Sequence, residues 1–118
     1  MSKIGFMTPN ADGQLVPVKF AVPEQVLRGT TDEKGHIYVT SENGNTMIGV
    51  WECGAYAEYL RDYPYDEMCT VVEGILEITE EGGTMVTYRP GDQFFMAKGF
   101  TGLWESKTRF KKYFMVSA

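Results

Sequence analysis

From residue 36 onward, short runs of β-branched and aromatic residues are cut by turn signals roughly every 8–12 residues. No stretch holds the helical apolar period of about 3.6 residues long enough to build an ordinary helix. The runs cover 36–40, 46–53, 55–60, 68–72, 75–79, 84–89, 93–97, 102–106 and 109–116. Between them stand Asn43-Gly44, Glu80-Glu81-Gly82-Gly83, Pro90-Gly91-Asp92 and Lys98-Gly99, all composed of turn-forming residues. Many short strands with Gly and Pro turns make a sandwich or barrel, not a sheet alternating with helices. The expected fold class is all-β.

The remaining 1–35 reads as an amino-terminal extension to a barrel over 36–118, in a single domain of 118 residues. Asp12-Gly13 is a turn signal, and 16–22 is β-prone. Pro23 and Gly29 sit at the two ends of a stretch that suits one or two helical turns. An irregular extended segment is the alternative.

Charge narrows the partners. A net charge of −5 argues against binding nucleic acid by phosphate neutralisation. The basic cluster Arg109 to Lys112, interrupted by Phe110, reads as a solvated edge strand. No run of about 18 apolar residues offers a membrane span, and Met1 to Asn10 lacks the apolar core of an export signal. Cys53 and Cys69, beside seven methionines, point to reduced thiols in a cytoplasmic protein. Neither cysteine has an imidazole or helix terminus in sequence to activate it, so both read as core thiols. His36 is the sole histidine.

Two segments carry a more specific pattern. Gly54, Glu67 and Gly74 are spaced as in a motif built from a leading glycine, two histidines, a glutamate and, after six residues, a second glycine. Gly91 and Gly99 then match the glycines of a second motif that ends in a third histidine and an asparagine. On these residues the chain resembles the cupin superfamily. Gly49 to Gly54, Tyr63 to Glu67 and Gly99 to Glu105 are similar to small single-domain cupins grouped with ureidoglycine aminohydrolase and the ethanolamine-utilisation cupin. The resemblance implies a double-stranded β-helix, or jelly-roll barrel, with a ligand-sized hollow. The chain departs from the pattern at the metal ligands. Leu60 and Asp62 fall at the first two histidine positions, or Arg61 and Tyr63 with the shorter spacer. Gly102 stands at the third, Ala97 replaces a proline, and Ser106 replaces the asparagine.

A cupin metal site needs about three imidazoles and a carboxylate, so no metal and no other cofactor is expected. A weak site would have to use Glu67, Asp62 and Cys69. If Glu67 points inward, alternation puts Cys69 and Val71 on the same inner face. Burial then raises its pKa unless a cation or donor compensates. Lys112 on the last strand is the candidate cation, with Tyr63 or Tyr65 as hydrogen-bond donors. Trp104 lies two residues past Gly102 and should face the hollow, forming an aromatic wall with Phe94 or Met96. The expected site is thus Glu67 with Trp104, Lys112, Tyr63, Tyr65 and Cys69, binding a small polar metabolite. The alternative is an enzyme on a ureide, amine or carbohydrate-like substrate, with Glu67 as general acid/base and possibly a metal. The remaining acids Glu58, Asp62 and Asp66 read as loop solvation. Trp51 and Cys53 share one strand face, Val50 and Glu52 the other. Both faces look covered, one by the barrel interior and one by a second copy, so a homodimer is expected.

Overall fold

Each of the nine runs forms a strand, with ends displaced by no more than two residues. The computed structural model describes residues 2–8 and 15–118, and the Asp12-Gly13 turn lies outside the described residues. In chain order the strands are β1 (Val16–Pro17), β2 (Val26–Gly29), β3 (Lys34–Thr40), β4 (Thr46–Cys53), β5 (Tyr56–Leu60) and β6 (Asp66–Glu73). They continue as β7 (Leu76–Glu80), β8 (Met85–Tyr88), β9 (Gln93–Met96), β10 (Gly102–Ser106) and β11 (Phe110–Ser117).

Two antiparallel sheets face each other. One runs β1-β3-β4-β11-β6-β9 and the other β2-β5-β10-β7-β8. Successive strands cross repeatedly between the sheets, giving the jelly roll expected from sequence. Period-2 alternation turns Trp51 and Cys53, Glu67, Cys69 and Val71, and Lys112, Phe114 and Val116 toward the facing sheet. From that sheet come Tyr56, Glu58, Leu60, Leu76, Ile78 and Trp104. Among the described residues no helix is long and apolar enough to cross a membrane.

The turns named in the sequence close this arrangement. Asp92 accepts the Arg89 N–H at 2.8 Å, and the Gly91 N–H donates to the Val71 carbonyl at 2.9 Å, which docks the turn against β6. Gly74 has φ +90, and a Cβ there would lie 2.1 Å from the Arg109 carbonyl oxygen. Only glycine permits that approach.

Three expectations need correction. β11 is not an edge strand, because β4 and β6 flank it on either side. Lys111 and Lys112 are accordingly buried, with Lys111 3.6 Å from Glu52. The stretch between Pro23 and Gly29 holds one 3₁₀ turn, Pro23–Gln25, and then becomes β2. Pairing with β5 outweighs the local helical tendency of so short a segment. Finally, Val50 and Glu52 are covered by their own chain. His36 and Tyr113 are the cross-strand neighbours of Val50, while Arg109 and Lys111 pair with Glu52.

The amino-terminal part is woven into the sandwich. β1 and β2 each add an edge strand, one to each sheet. Met7 and Thr8 sit at the outside of the β3-β4-β11 region, where Tyr113 donates to the Met7 carbonyl at 2.8 Å and Tyr38 to that of Thr8 at 3.0 Å. His36 is half-buried on β3 and meets the Tyr38 ring edge-on.

Candidate functional site

The hollow between the sheets is a cavity of about 530 Å³. Such a volume falls inside the range of roughly 300–1,000 Å³ usual for small-ligand sites. Its floor is aromatic and charged, and the segment bearing Lys19, Phe20, Ala21 and Val22 forms part of its wall. Glu33 anchors that segment by accepting the Phe20 and Ala21 N–H groups and the Trp51 indole N–H, at 2.8, 3.0 and 3.1 Å.

Glu67 points inward and is 5% exposed. Lys112 Nζ donates to its Oε2 at 2.5 Å, Tyr63 donates to Oε1 at 2.5 Å, and the Cys69 thiol donates to Oε2 at 3.2 Å. Burial alone would raise the Glu67 pKa, but the Lys112 charge and these donors lower it below the usual carboxylate value. Burial likewise works against charge on Lys112, and the Cys69 sulfur and Glu67 carboxylate more than offset it, leaving the amine above its ordinary pKa. The pair therefore stays ionised at neutral pH.

Lys112 is also caged by rings. Its Nζ lies 4.9 Å from the Trp104 ring centre and 5.1 Å from that of Trp51, close enough for cation–π attraction. An ammonium has three hydrogens. Glu67 and Cys69 engage two of them.

The expected residues gather unequally. Glu67, Lys112, Tyr63 and Trp104 meet in the hollow as anticipated. Tyr65 lines the cavity but is 39% exposed, and touches Tyr63 edge-on without bonding to Glu67. Cys69 is fully buried behind Glu67 and is not part of the cavity wall. Burial pushes its thiol, and that of Cys53, up to about 12, so neither is a nucleophile at neutral pH. Phe94 and Met96 are buried, and the Phe94 and Trp104 ring centres lie 6.4 Å apart.

Glu58 was not anticipated here. Assigned from sequence to a solvated acidic group, it is instead 2% exposed on the inner face of β5. Its Oε1 accepts from Tyr56 Oη at 3.0 Å and its Oε2 from the Val22 N–H at 3.1 Å. Burial raises its pKa, and those two donors only partly oppose the shift. The signal in the sequence is the alternation Tyr56, Glu58, Leu60, which puts an acid between two inward apolar residues. A second feature is Trp104, whose buried Nε1 has no hydrogen-bond partner among the described residues. Leaving such a donor unpaired costs roughly 1–3 kcal/mol.

The metal that other barrels of this type hold does not fit. Among the described residues no three His, Cys, Asp or Glu side chains gather into a metal-binding group. At the histidine positions stand Leu60, which is apolar, and Asp62, which is exposed at the rim. At Gly102 a Cβ would lie 2.4 Å from the Thr79 carbonyl oxygen and 2.8 Å from the Phe100 ring, so no side chain can stand there. The remaining carboxylate, Glu67, already has the Lys112 ammonium as its counter-charge.

A two-sheet jelly roll with an inward glutamate and an open hollow defines a cupin. Residues 40–114 match the EutQ-like cupin domain, and the chain belongs to that family. No curated protein matches the sequence. Among solved structures, one similar fold is a protein of unknown function from Pseudomonas syringae pv. tomato. It is 22% identical, with TM-score 0.85 over 94% of this chain and 46% of that one. The chain thus spans about half the length of the Pseudomonas protein. A putative ethanolamine utilization protein Q from Salmonella typhimurium is 22% identical, with TM-score 0.62 over 73% of this chain and 69% of its own. Ectoine synthase from P. lautus is 13% identical, with TM-score 0.62 over 80% and 69%. Identities this low speak for the fold alone.

Proposed function

We propose that this cupin binds a small polar metabolite in the hollow between its sheets, without a metal. The observation that carries the reading is an accessible cavity whose floor combines a fixed ion pair, Glu67 with Lys112, and an indole face, Trp104. The pair is held by Tyr63, so its polar atoms are oriented before a ligand arrives. Lys112 retains one N–H for an acceptor on the ligand, and Trp104 offers a stacking surface.

An enzyme using Glu67 as general acid/base has weaker support. Lys112 holds the carboxylate ionised, and both of its oxygens already accept hydrogen bonds. The test is calorimetric titration and thermal-shift screening of small polar metabolites against wild type, Glu67→Gln and Trp104→Ala. A compound that stabilises only the wild type supports the reading. Binding untouched by both substitutions removes it.

The outer face of the β3-β4-β11-β6-β9 region suits a second copy of the chain. Val39, Ile48, Met115, Met68 and Phe95 stand in register as one apolar row across five strands. Phe95 is 80% exposed. Ile4 and Phe6, on the segment bound to the same outer face, are exposed too. A two-fold related copy would set each amino-terminal segment beside the other's row, giving a homodimer. Two free, buried thiols support a cytoplasmic setting.

A further inference from the structure

The geometry points to a ligand that is a small cation with an oxygen acceptor a few bonds from its charged nitrogen, held between Glu58 and Trp104. This rests on the lumen-binding reading and specifies its ligand class. Glu58 and Trp104 are directly opposite one another on the paired strands β5 and β10, and both face the cavity. Side chains so placed start about 4.5–5.5 Å apart at Cβ. One is a buried carboxylate, the other a buried N–H donor with no partner among the described residues.

Their needs are complementary. Glu58 receives one neutral donor on each oxygen, from Tyr56 and Val22. A carboxylate has about four acceptor sites, so capacity remains on both oxygens. Among the described residues no Lys, Arg or His forms an ion pair with it. Lys112, the nearest buried cation in the hollow, is committed to Glu67. Glu33, the next buried acid, holds the Phe20–Ala21 backbone and Trp51. A ligand ammonium or amidinium would give Glu58 the counter-charge it lacks. An oxygen a few bonds away would satisfy the Trp104 indole. A neutral or anionic ligand leaves the Glu58 charge uncompensated, and a cation without an acceptor leaves the indole unpaired.

The experiment follows the two indole N–H proton resonances of the full chain by NMR, with parallel calorimetry. The probes are β-alaninamide, propylamine, propionamide and propionate. β-Alaninamide carries both groups, propylamine only the cation, propionamide only the acceptor, and propionate the opposite charge. The expected result is that β-alaninamide shifts the Trp104 indole signal. The Trp51 signal should stay in place, because Glu33 already occupies that indole. β-Alaninamide should also bind about tenfold or more tightly than each partial probe. Glu58→Gln should reduce β-alaninamide to the level of propionamide, and Trp104→Phe to that of propylamine. Propylamine, propionamide or propionate binding as tightly as β-alaninamide overturns the ligand class. If that binding is lost in Glu67→Gln, lumen binding itself survives. A panel silent toward the wild type overturns both. The wild-type titration needs no variant, so a misfolded substitution leaves the decision intact.

Discussion

Lys112 does at one atom what a metal does in other barrels of this shape. It neutralises an inward carboxylate, and its position is fixed by Glu67, Cys69 and two indole rings. Breaking a buried pair by removing one partner costs about 3–5 kcal/mol, because the other charge is stranded. Lys112→Met should lose that much in urea unfolding, while Lys112→Met with Glu67→Gln should recover most of it. The two buried acids respond oppositely to pH. Glu67 has a depressed folded pKa, so its stabilisation is present above the ordinary carboxylate pKa and is lost as pH falls through the folded value. Glu58 has a raised folded pKa, so the folded state binds the extra proton. Stability then declines as pH rises from the ordinary carboxylate pKa through the raised one. Melting curves of Glu58→Gln across this window should lack that decline. An unchanged pH profile would show that Glu58 is solvated rather than buried.

At the scale of elements, the tightest constraints come where strands cross between sheets. Gly74 ends β6 against the backbone that enters β11, with its missing Cβ space filled by the Arg109 carbonyl. Gly74→Ala combines a forbidden contact with a positive φ. It should cost more than about 1 kcal/mol, measured by chemical denaturation. Gly102→His, which would restore a lost ligand position on β10, should destabilise the chain and bring no stoichiometric transition metal by elemental analysis. The same pairing logic explains β2. Its residues follow a Pro that favours a helical turn, yet four of them extend because β5 offers an open edge.

For the whole molecule, the apolar row across the outer sheet face is the feature a lone chain leaves unexplained. Four of its side chains, on Val39, Met68, Phe95 and Met115, are exposed. Light scattering on the eluting protein should give the mass of a dimer. Phe95→Glu should shift it toward the monomer with little change in fold, since that ring is 80% exposed. A monomeric wild type would remove the second copy from this face.

The sequence alone determined the nine strands from β3 to β11, because alternation and turn chemistry are local. Asn43-Gly44, Pro90-Gly91-Asp92 and the nine runs between turns need no distant partner to be read. Period 2 likewise ties Cys69 and Val71 to whichever face of β6 Glu67 takes. Only the tertiary structure decided which strands are neighbours. Charge at Arg109 to Lys112 looks like an exposed edge until β4 and β6 are seen on both sides of it. Glu58 looks like a surface acid until β10 brings Trp104 opposite and the Val22 segment closes over it. Burial of a charged side chain depends on contacts far apart in the chain, and no local pattern carries that information.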